Sequence, residues 1–268
     1  MSSIFRGDLF AGKVCLVTGG GTGIGAVVAQ ELGSLGADVV IASRKSEHIL
    51  PAAEGLSGLV GREVVGETVD IRDRDSVTAL VERVMERFGR IDVLVNNGGG
   101  QFLSPAEGIT PRGWDAVVQT NLTGTWNMTR AVADAWMLAH GGRIVNITSA
   151  MVKTPLAPMG LSTGARTGLT AFSKGLSRQV AHANVTLNNL LPERFDTDRQ
   201  KFMAEMRAKL GGVSVEQAYD EMKQSIAAGR LGRPEEFGAT CVFLCSQHAG
   251  YISGQNLQMD GGSYEGLV

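Results

Sequence analysis

Residues 18–25 read Thr18-Gly-Gly-Gly-Thr-Gly-Ile-Gly25. Glycine permits a tight turn and lets peptide N–H groups approach an anion closely, and a helix opening there adds the positive end of its dipole. Gly19, Thr22, Gly23, Ile24 and Gly25 are thus the residues of a pyrophosphate cradle. A second apolar segment ends Ala42-Ser43-Arg44-Lys45. No carboxylate stands there to accept from a ribose 2′-OH. Arg44, with Ser43 beside it, can instead give charge-assisted hydrogen bonds to a 2′-phosphate. The expected dinucleotide is NADP(H) rather than NAD(H).

A cradle of this kind works only between a strand and a helix. Val14–Thr18 runs into the glycines and the helical stretch Gly23–Leu35 follows, with Val39–Ala42 next. Val64–Asp70 is followed by Ser76–Phe88, where Val77, Leu80, Val81 and Val84 recur at spacings of three and four. Then come Ile91–Val95, a helix around Trp114–Met137, Ile144–Ile147, a helix around Thr163–Ala181, and Val185–Leu191. Apolar strands interleaved with helices predict an α/β fold: a doubly wound parallel sheet of Rossmann type, one domain over 1–268. Residues 197–228 break the alternation. Met203, Met206 and Leu210, then Ala218, Tyr219 and Met222, predict two amphipathic helices separated by Gly211-Gly212, with Ser214–Gln217 as a capping box. Such a helical pair is expected to be a substrate lid, with a surface hairpin over the sheet edge as the alternative.

Composition removes other classes. Of 268 residues, 43% are hydrophobic and 19% charged, enough apolar material for a core. With 25 basic against 27 acidic residues and no block of like charge, no nucleic-acid partner is expected. No apolar run is long enough to cross a membrane, and Met1–Phe10 carries charge where a signal peptide is apolar. Cys15, Cys241 and Cys245 form no CxxC pair and read as buried, reduced thiols of a cytoplasmic protein. His48, His140, His182 and His248 are too scattered to ligate a metal, so none is expected.

The spacing TGxxxGIG resembles that of the short-chain dehydrogenase/reductase superfamily, and the resemblance continues along the chain. Asp70-Ile71 matches the family's adenine contact, and Asn96-Asn97-Gly98-Gly99 its NNAG signature. Asn121-Leu-Thr-Gly124, Asn146-Ile-Thr-Ser149, Gly254-Gln255 and Asp260-Gly-Gly262 match later motifs. The resemblance implies that Asp70, Ile71, Asn97, Gly98, Gly99 and Pro192 also touch the cofactor. It further implies a homotetramer, with a dimer as the alternative, because Tyr251–Gln255 and Asp260–Gly262 resemble segments at subunit contacts in tetrameric relatives.

The match fails at the catalytic positions. The family places a Tyr thirteen residues after the motif serine and a Lys four beyond it. Counting from Ser149 gives Ser162 and Arg166, so YxxxK has become SxxxR. A phenol beside a lysine can deliver a proton to a carbonyl oxygen near neutral pH; a serine hydroxyl alone cannot. Arg166 stays protonated and cannot relay a proton, but it can hold ribose hydroxyls and positive charge. Ser149, Ser162 and Asn121, directly or through water, are the expected donors to a developing oxyanion. Pro192-Glu193 stands where the family reads Pro-Gly, which leaves Glu193 either beside the nicotinamide or, the favoured placement, turned outward.

Asn96–Glu107, Ile41–Lys45 and Phe5–Leu9 resemble the enoyl-CoA and dienoyl-CoA reductase branch. In dienoyl-CoA relatives a substitute Tyr lies two residues past the motif serine, and here that position is Met151. Gln101, Phe102, Met151 and Tyr219 are the expected substrate contacts. The activity implied is NADPH-dependent reduction of an activated carbonyl system, foremost a 2-enoyl thioester. A carbonyl/alcohol oxidoreductase using water, Glu193 or Tyr219 as proton source is the alternative, and a non-catalytic NADP(H)-binding sensor or scaffold is a third reading.

Overall fold

Val14–Thr18 (β1) is buried at every position, and its residues alternate between two cores. Cys15 and Val17 pack with Val28, Leu32 and Phe237 on one face, while Val14 and Leu16 pack with Leu80, Val84, Met128 and Ile144 on the other. Cover on both faces explains why the strands read as unbroken apolar runs.

The computed structural model describes residues 5–100 and 103–267. After β1 come α1 (Gly23–Ser34), β2 (Asp38–Ser43), α2 (Ser46–Val60), β3 (Val64–Thr68), α3 (Arg74–Phe88) and β4 (Val93–Asn96). The second half contains α4 (Pro111–Val118), α5 (Gly124–Val132), α6 (Leu138–His140), β5 (Gly142–Ile147), α7 (Gly160–Val180) and β6 (Val185–Pro192). It closes with α8 (Asp198–Gly211), α9 (Val215–Gln224), α10 (Pro234–Cys245) and β7 (Asn256–Met259).

The strands form one seven-stranded parallel sheet in the order β3-β2-β1-β4-β5-β6-β7, the Rossmann-type arrangement expected. The order reverses between β1 and β4, so the loops leaving these strands diverge and open a crevice at their C-terminal ends. Four asparagines stand in register across the right half of the sheet. Asn96 Nδ2 donates to Asn146 at 2.9 Å, Asn146 Nδ2 to Asn189 at 3.1 Å, and Asn189 Nδ2 to Asn256 at 2.8 Å.

The helix expected around Trp114–Met137 runs from Pro111 to His140, but two wider turns, Gln119–Thr123 and Ala133–Met137, interrupt it. The first holds Asn121. The helical pair over 197–228 is present as α8 and α9, and Gly212 ends α8 in the left-handed conformation with φ +66°. On α9 the expected Ala218 and Met222 are buried, but the buried face of α8 differs from that expected. Ala204 and Ala208 are the α8 residues buried against Ala218 and Met222, because small side chains let the two helices approach, while Met206 and Leu210 are exposed. Ser214 accepts from Gln217 N at 3.1 Å, yet the Gln217 side chain turns to Glu221, so only half of the capping box forms. All three cysteines are buried free thiols. Among the described residues no helix is long and apolar enough to cross a membrane.

Candidate active site

The crevice between the β1 and β4 loops is tied from both sides. Thr18 Oγ1 accepts from the backbone N–H groups of Asn97 (3.1 Å) and Gly98 (2.9 Å), while Asn97 Nδ2 donates to Thr18 O (3.2 Å) and Gly19 O (2.9 Å). Asn97 therefore fixes the glycine turn from behind. A Cβ at Gly25 would lie 2.3 Å from that same Nδ2, and Gly19 adopts φ +65°, so both positions need glycine.

α1 opens at Gly23 with no side-chain cap from Thr22, leaving its first-turn amides to an outside acceptor. Thr22, Gly23 and Ile24 line a cavity of about 750 Å³ that extends beneath α8. A pyrophosphate fits this donor set. Ser43, the last residue of β2, is half-buried, and Arg44 just past it is exposed. Asp70 is held by Arg72, whose Nε lies 2.9 Å from Oδ1, and this pairing keeps the carboxyl below its ordinary pKa. Ile71 packs against Gly124 and accepts from Asn127 Nδ2 at 3.0 Å. These four residues stand outside the cavity.

The predicted catalytic residues separate into two groups. Ser149 and Arg166 line the cavity, as do Met151, Pro192 and Gly99. Ser149 Oγ accepts from Met151 N at 3.2 Å, which leaves its own hydroxyl available as a donor. Burial first, and then the nearby Arg199 charge, pull the Arg166 guanidinium down to about 10, so it remains cationic at neutral pH.

Ser162 and Asn121 act behind this wall. Ser162 is buried and accepts from Arg166 Nη1. Asn121 Nδ2 is committed to Gly100 O (2.7 Å) and Val117 O (2.9 Å), and its Oδ1 accepts from Gly100 N at 3.3 Å. Its amide hydrogens thus hold the Gly99–Gly100 loop rather than donating into the cavity. A Cβ on Gly99 would meet Asn121 Oδ1 at 2.8 Å and Arg166 Nη2 at 3.2 Å, so this glycine clears the path along which Arg166 enters.

Three other expectations are resolved differently. Glu193 does not turn outward: its side chain is 13% exposed, lines the cavity and accepts from Arg194 Nε at 2.8 Å. Tyr219 lies off the cavity wall and donates to Asp196 Oδ1 at 2.5 Å, and burial with this partner pushes its phenol up to about 12. Gln101 and Phe102 lie outside the described residues. Sequence reading missed Arg194, Arg199 and Arg207, which line the cavity. A signal existed in the spacing of Arg199, Met203 and Arg207 on one face of α8.

A family model described as Enoyl-(Acyl carrier protein) reductase matches residues 19–264. The peroxisomal 2,4-dienoyl-CoA reductase, (3E)-enoyl-CoA-producing, of Danio rerio is 32% identical over 261 residues, covering 97% of this chain and 84% of that protein. The chain is a member of the short-chain dehydrogenase/reductase family. The family's 3-oxoacyl-acyl-carrier-protein reductase FabG of Haemophilus influenzae is 34% identical over 253 residues, covering 94% of this chain and 98% of that one. The structure of the L-sorbose reductase of Gluconobacter frateurii, complexed with NADPH and L-sorbose, superposes with a TM-score of 0.92 at 27% identity, covering 98% of this chain and 100% of that one. Within this reductase family the similarity thus reaches both C=C and C=O reducers, and the choice between them falls to the site's own chemistry.

Proposed function

We propose that this short-chain reductase uses NADPH to reduce a 2-enoyl thioester. One observation carries the reading: none of the chain's three tyrosines lines the cavity. Tyr219 is bound to Asp196, Tyr251 is fully exposed, and Tyr264 lies by Lys153, with its ring 5.2 Å from the ammonium. Reduction of a ketone requires an acid at the oxygen as the alkoxide forms. Reduction at the β-carbon of an enoyl thioester places charge on the thioester oxygen as an enolate, which needs donors and positive charge rather than immediate protonation.

The residues divide this work. The uncapped start of α1 receives the pyrophosphate, and Arg44 with Ser43 receives the 2′-phosphate. When bound, the reduced nicotinamide supplies a hydride. Ser149, which accepts from Met151 N, donates a hydrogen bond from its hydroxyl to the thioester oxygen and keeps its proton. Arg166, held by Ser162 on the same helix, fixes ribose hydroxyls and places its cation beside the developing charge. Protonation at the α-carbon comes from water entering the open cavity. Glu193 is tied to Arg194 and Tyr219 to Asp196, so neither is placed as the acid that ketone reduction would need.

The test is NADPH oxidation by purified protein against a panel of enoyl-CoA, 3-oxoacyl-CoA and simple ketone substrates. The expected result is turnover confined to the enoyl members. Preferential reduction of the 3-oxoacyl or ketone members would overturn the reading, and NADPH binding with no turnover would favour a sensor or scaffold.

A further inference from the structure

Glu193 follows Pro192 at the end of β6, and its backbone N–H donates to Met259 O of β7 at 3.1 Å. The β5–β6 register sets Asn146 beside Asn189 and Ile147 beside Leu190, closing with Thr148 N donating to Leu190 O at 2.8 Å. Extended backbone at Ser149 carries the same offset on to Pro192. Glu193 thus stands one residue past the position beside Ser149, on a strand about 4.8 Å away. Both residues line the cavity, and Glu193 is the sole carboxylate among its described lining residues.

One of the two carboxylate oxygens is already committed. Arg194 Nε donates to Oε1 at 2.8 Å, and Arg194 Nη2 donates to the same atom. Oε2 has no hydrogen bond among the described residues, yet it is not one of the sealed unpartnered polar atoms. It is an acceptor open to the cavity. A carboxylate cannot donate, so its complement is an N–H or O–H. The side chain is only 13% exposed, so a ligand that shuts the cavity from water must supply that donor or leave the oxygen bare.

We infer that Glu193 Oε2 accepts from an amide N–H of a bound ligand beside Ser149. This rests on the proposed reductase reading, which brings two such amides to the cavity. The cradle at α1 and Arg44 past β2 direct the adenosine half of a dinucleotide over β2, so its nicotinamide half, with its carboxamide, crosses the ends of β4, β5 and β6. In a coenzyme A or acyl-carrier thioester, an ethylene unit separates the sulfur from the first amide N–H. A thioester oxygen on Ser149 therefore keeps that amide close to the neighbouring strand end. A simple thioester or ketone offers no such donor, so Glu193 selects for amide-bearing ligands.

The test is calorimetric binding with pairs that differ in the N–H. NADP+ is compared with its 3-acetylpyridine analogue, in which methyl replaces the amide nitrogen. On protein saturated with NADP+, S-butyryl-N-acetylcysteamine is compared with S-butyryl-2-acetoxyethanethiol, in which an ester oxygen replaces the N–H. The N–H member of at least one pair should bind about tenfold more tightly, and that pair identifies the source. Glu193→Gln should erase the preference, because its amide oxygen stays on Arg194 and its NH2 group takes the place of Oε2. The same variant should bind the member without N–H no more than about twofold more weakly than wild type, which shows an intact cavity. Glu216→Gln, on the exposed first turn of α9, should keep the preference. The inference is overturned if neither pair discriminates, or if Glu193→Gln still does. Equal loss of affinity for both members of a pair in Glu193→Gln would also overturn it, by making Glu193 a packing residue. Turnover of enoyl thioesters without discrimination would sink the acceptor and leave the reductase; discrimination without turnover would do the reverse.

Discussion

Arg166 donates to Ser162 one turn earlier on α7, so the two residues that replace a phenol and an ammonium form a single cationic unit. Ser162 is only 1% exposed, so a ring at its position would press on neighbours packed around a serine. Ser162→Tyr with Arg166→Lys should therefore restore ketone reduction only weakly and should melt at lower temperature than the wild type. Arg166→Ala should lower both NADPH affinity and turnover, measured by fluorescence titration and steady-state kinetics. Unchanged kinetics would remove Arg166 from the site.

Ser149→Ala should leave cofactor affinity nearly intact and lower turnover about a hundredfold, the size expected for a principal oxyanion donor. Full activity on the best substrate would show that the oxyanion is held elsewhere.

The proposed preference for NADPH rests on Arg44. Loss of a charge-assisted bond to the 2′-phosphate costs about 1.5–3 kcal/mol, roughly tenfold or more in affinity. Arg44→Ala should accordingly lose most of its preference for NADPH and still bind NADH. Equal wild-type affinity for both cofactors would contradict the assignment.

Gly99→Ala tests the passage of Arg166. The added methyl would press on Asn121 Oδ1 and the guanidinium, at 2.8 and 3.2 Å. Overpacking of this kind costs about 1–3 kcal/mol. Circular dichroism should show a folded protein whose kcat has fallen further than its melting temperature explains. A variant with wild-type kcat would show that Arg166 can shift without consequence.

Glu236 gives a pH prediction for stability. Arg230, then the backbone N–H of Arg233, hold its carboxyl at about 2 instead of 4.5. A depressed carboxylate stabilises the fold above its unfolded pKa, and the contribution is lost as pH falls from about 4.5 through about 2. The N–H contact, 2.8 Å from Oε2, caps the start of α10. Glu236→Gln keeps an oxygen that can accept from Arg233 N–H and loses only the charge, so it should melt slightly lower at neutral pH, within the roughly 0–1 kcal/mol of a surface ion pair, with salt narrowing the difference. The difference from wild type should close as the melts are repeated toward pH about 2; a constant difference would rule the mechanism out.

Assembly is the remaining prediction. Tyr251 is fully exposed and β7 offers Leu257 at the sheet edge, 41% exposed, which suits burial by another subunit. A homotetramer is expected from light scattering at micromolar concentration, and a monomer would contradict it.

The sheet and the cradle were legible because two-sided burial and the glycine turn each impose a residue pattern on consecutive positions. β7 was not, since its positions are exposed or half-buried and form no apolar run. The placement of Asn121 was hidden for another reason. A wider turn at Gln119–Thr123 rotates the helix without any change in residue type, and this commits the amide to Gly100 and Val117. The α8 face was misread because hydrophobicity favours Met206 and Leu210, whereas close helix approach selects Ala204 and Ala208. Glu193 depended on Arg194, an adjacent pairing that spacing rules for helices and strands do not describe.

The four in-register asparagines also decide how the last strand is fastened. β7 buries too little apolar surface to be secured by its side chains alone, and Asn256 gives it a polar clasp onto Asn189. A slip of β7 by one residue would set Leu257 opposite Asn189 and strand a buried amide donor, a penalty of about 1–3 kcal/mol. Alternative pairings of the C-terminal edge are thereby rejected by amide matching instead of by oily contact. A chain cut just before residue 256 would lose that latch along with its edge strand, and would leave the Asn189 amide of β6 open to whatever backbone next met it.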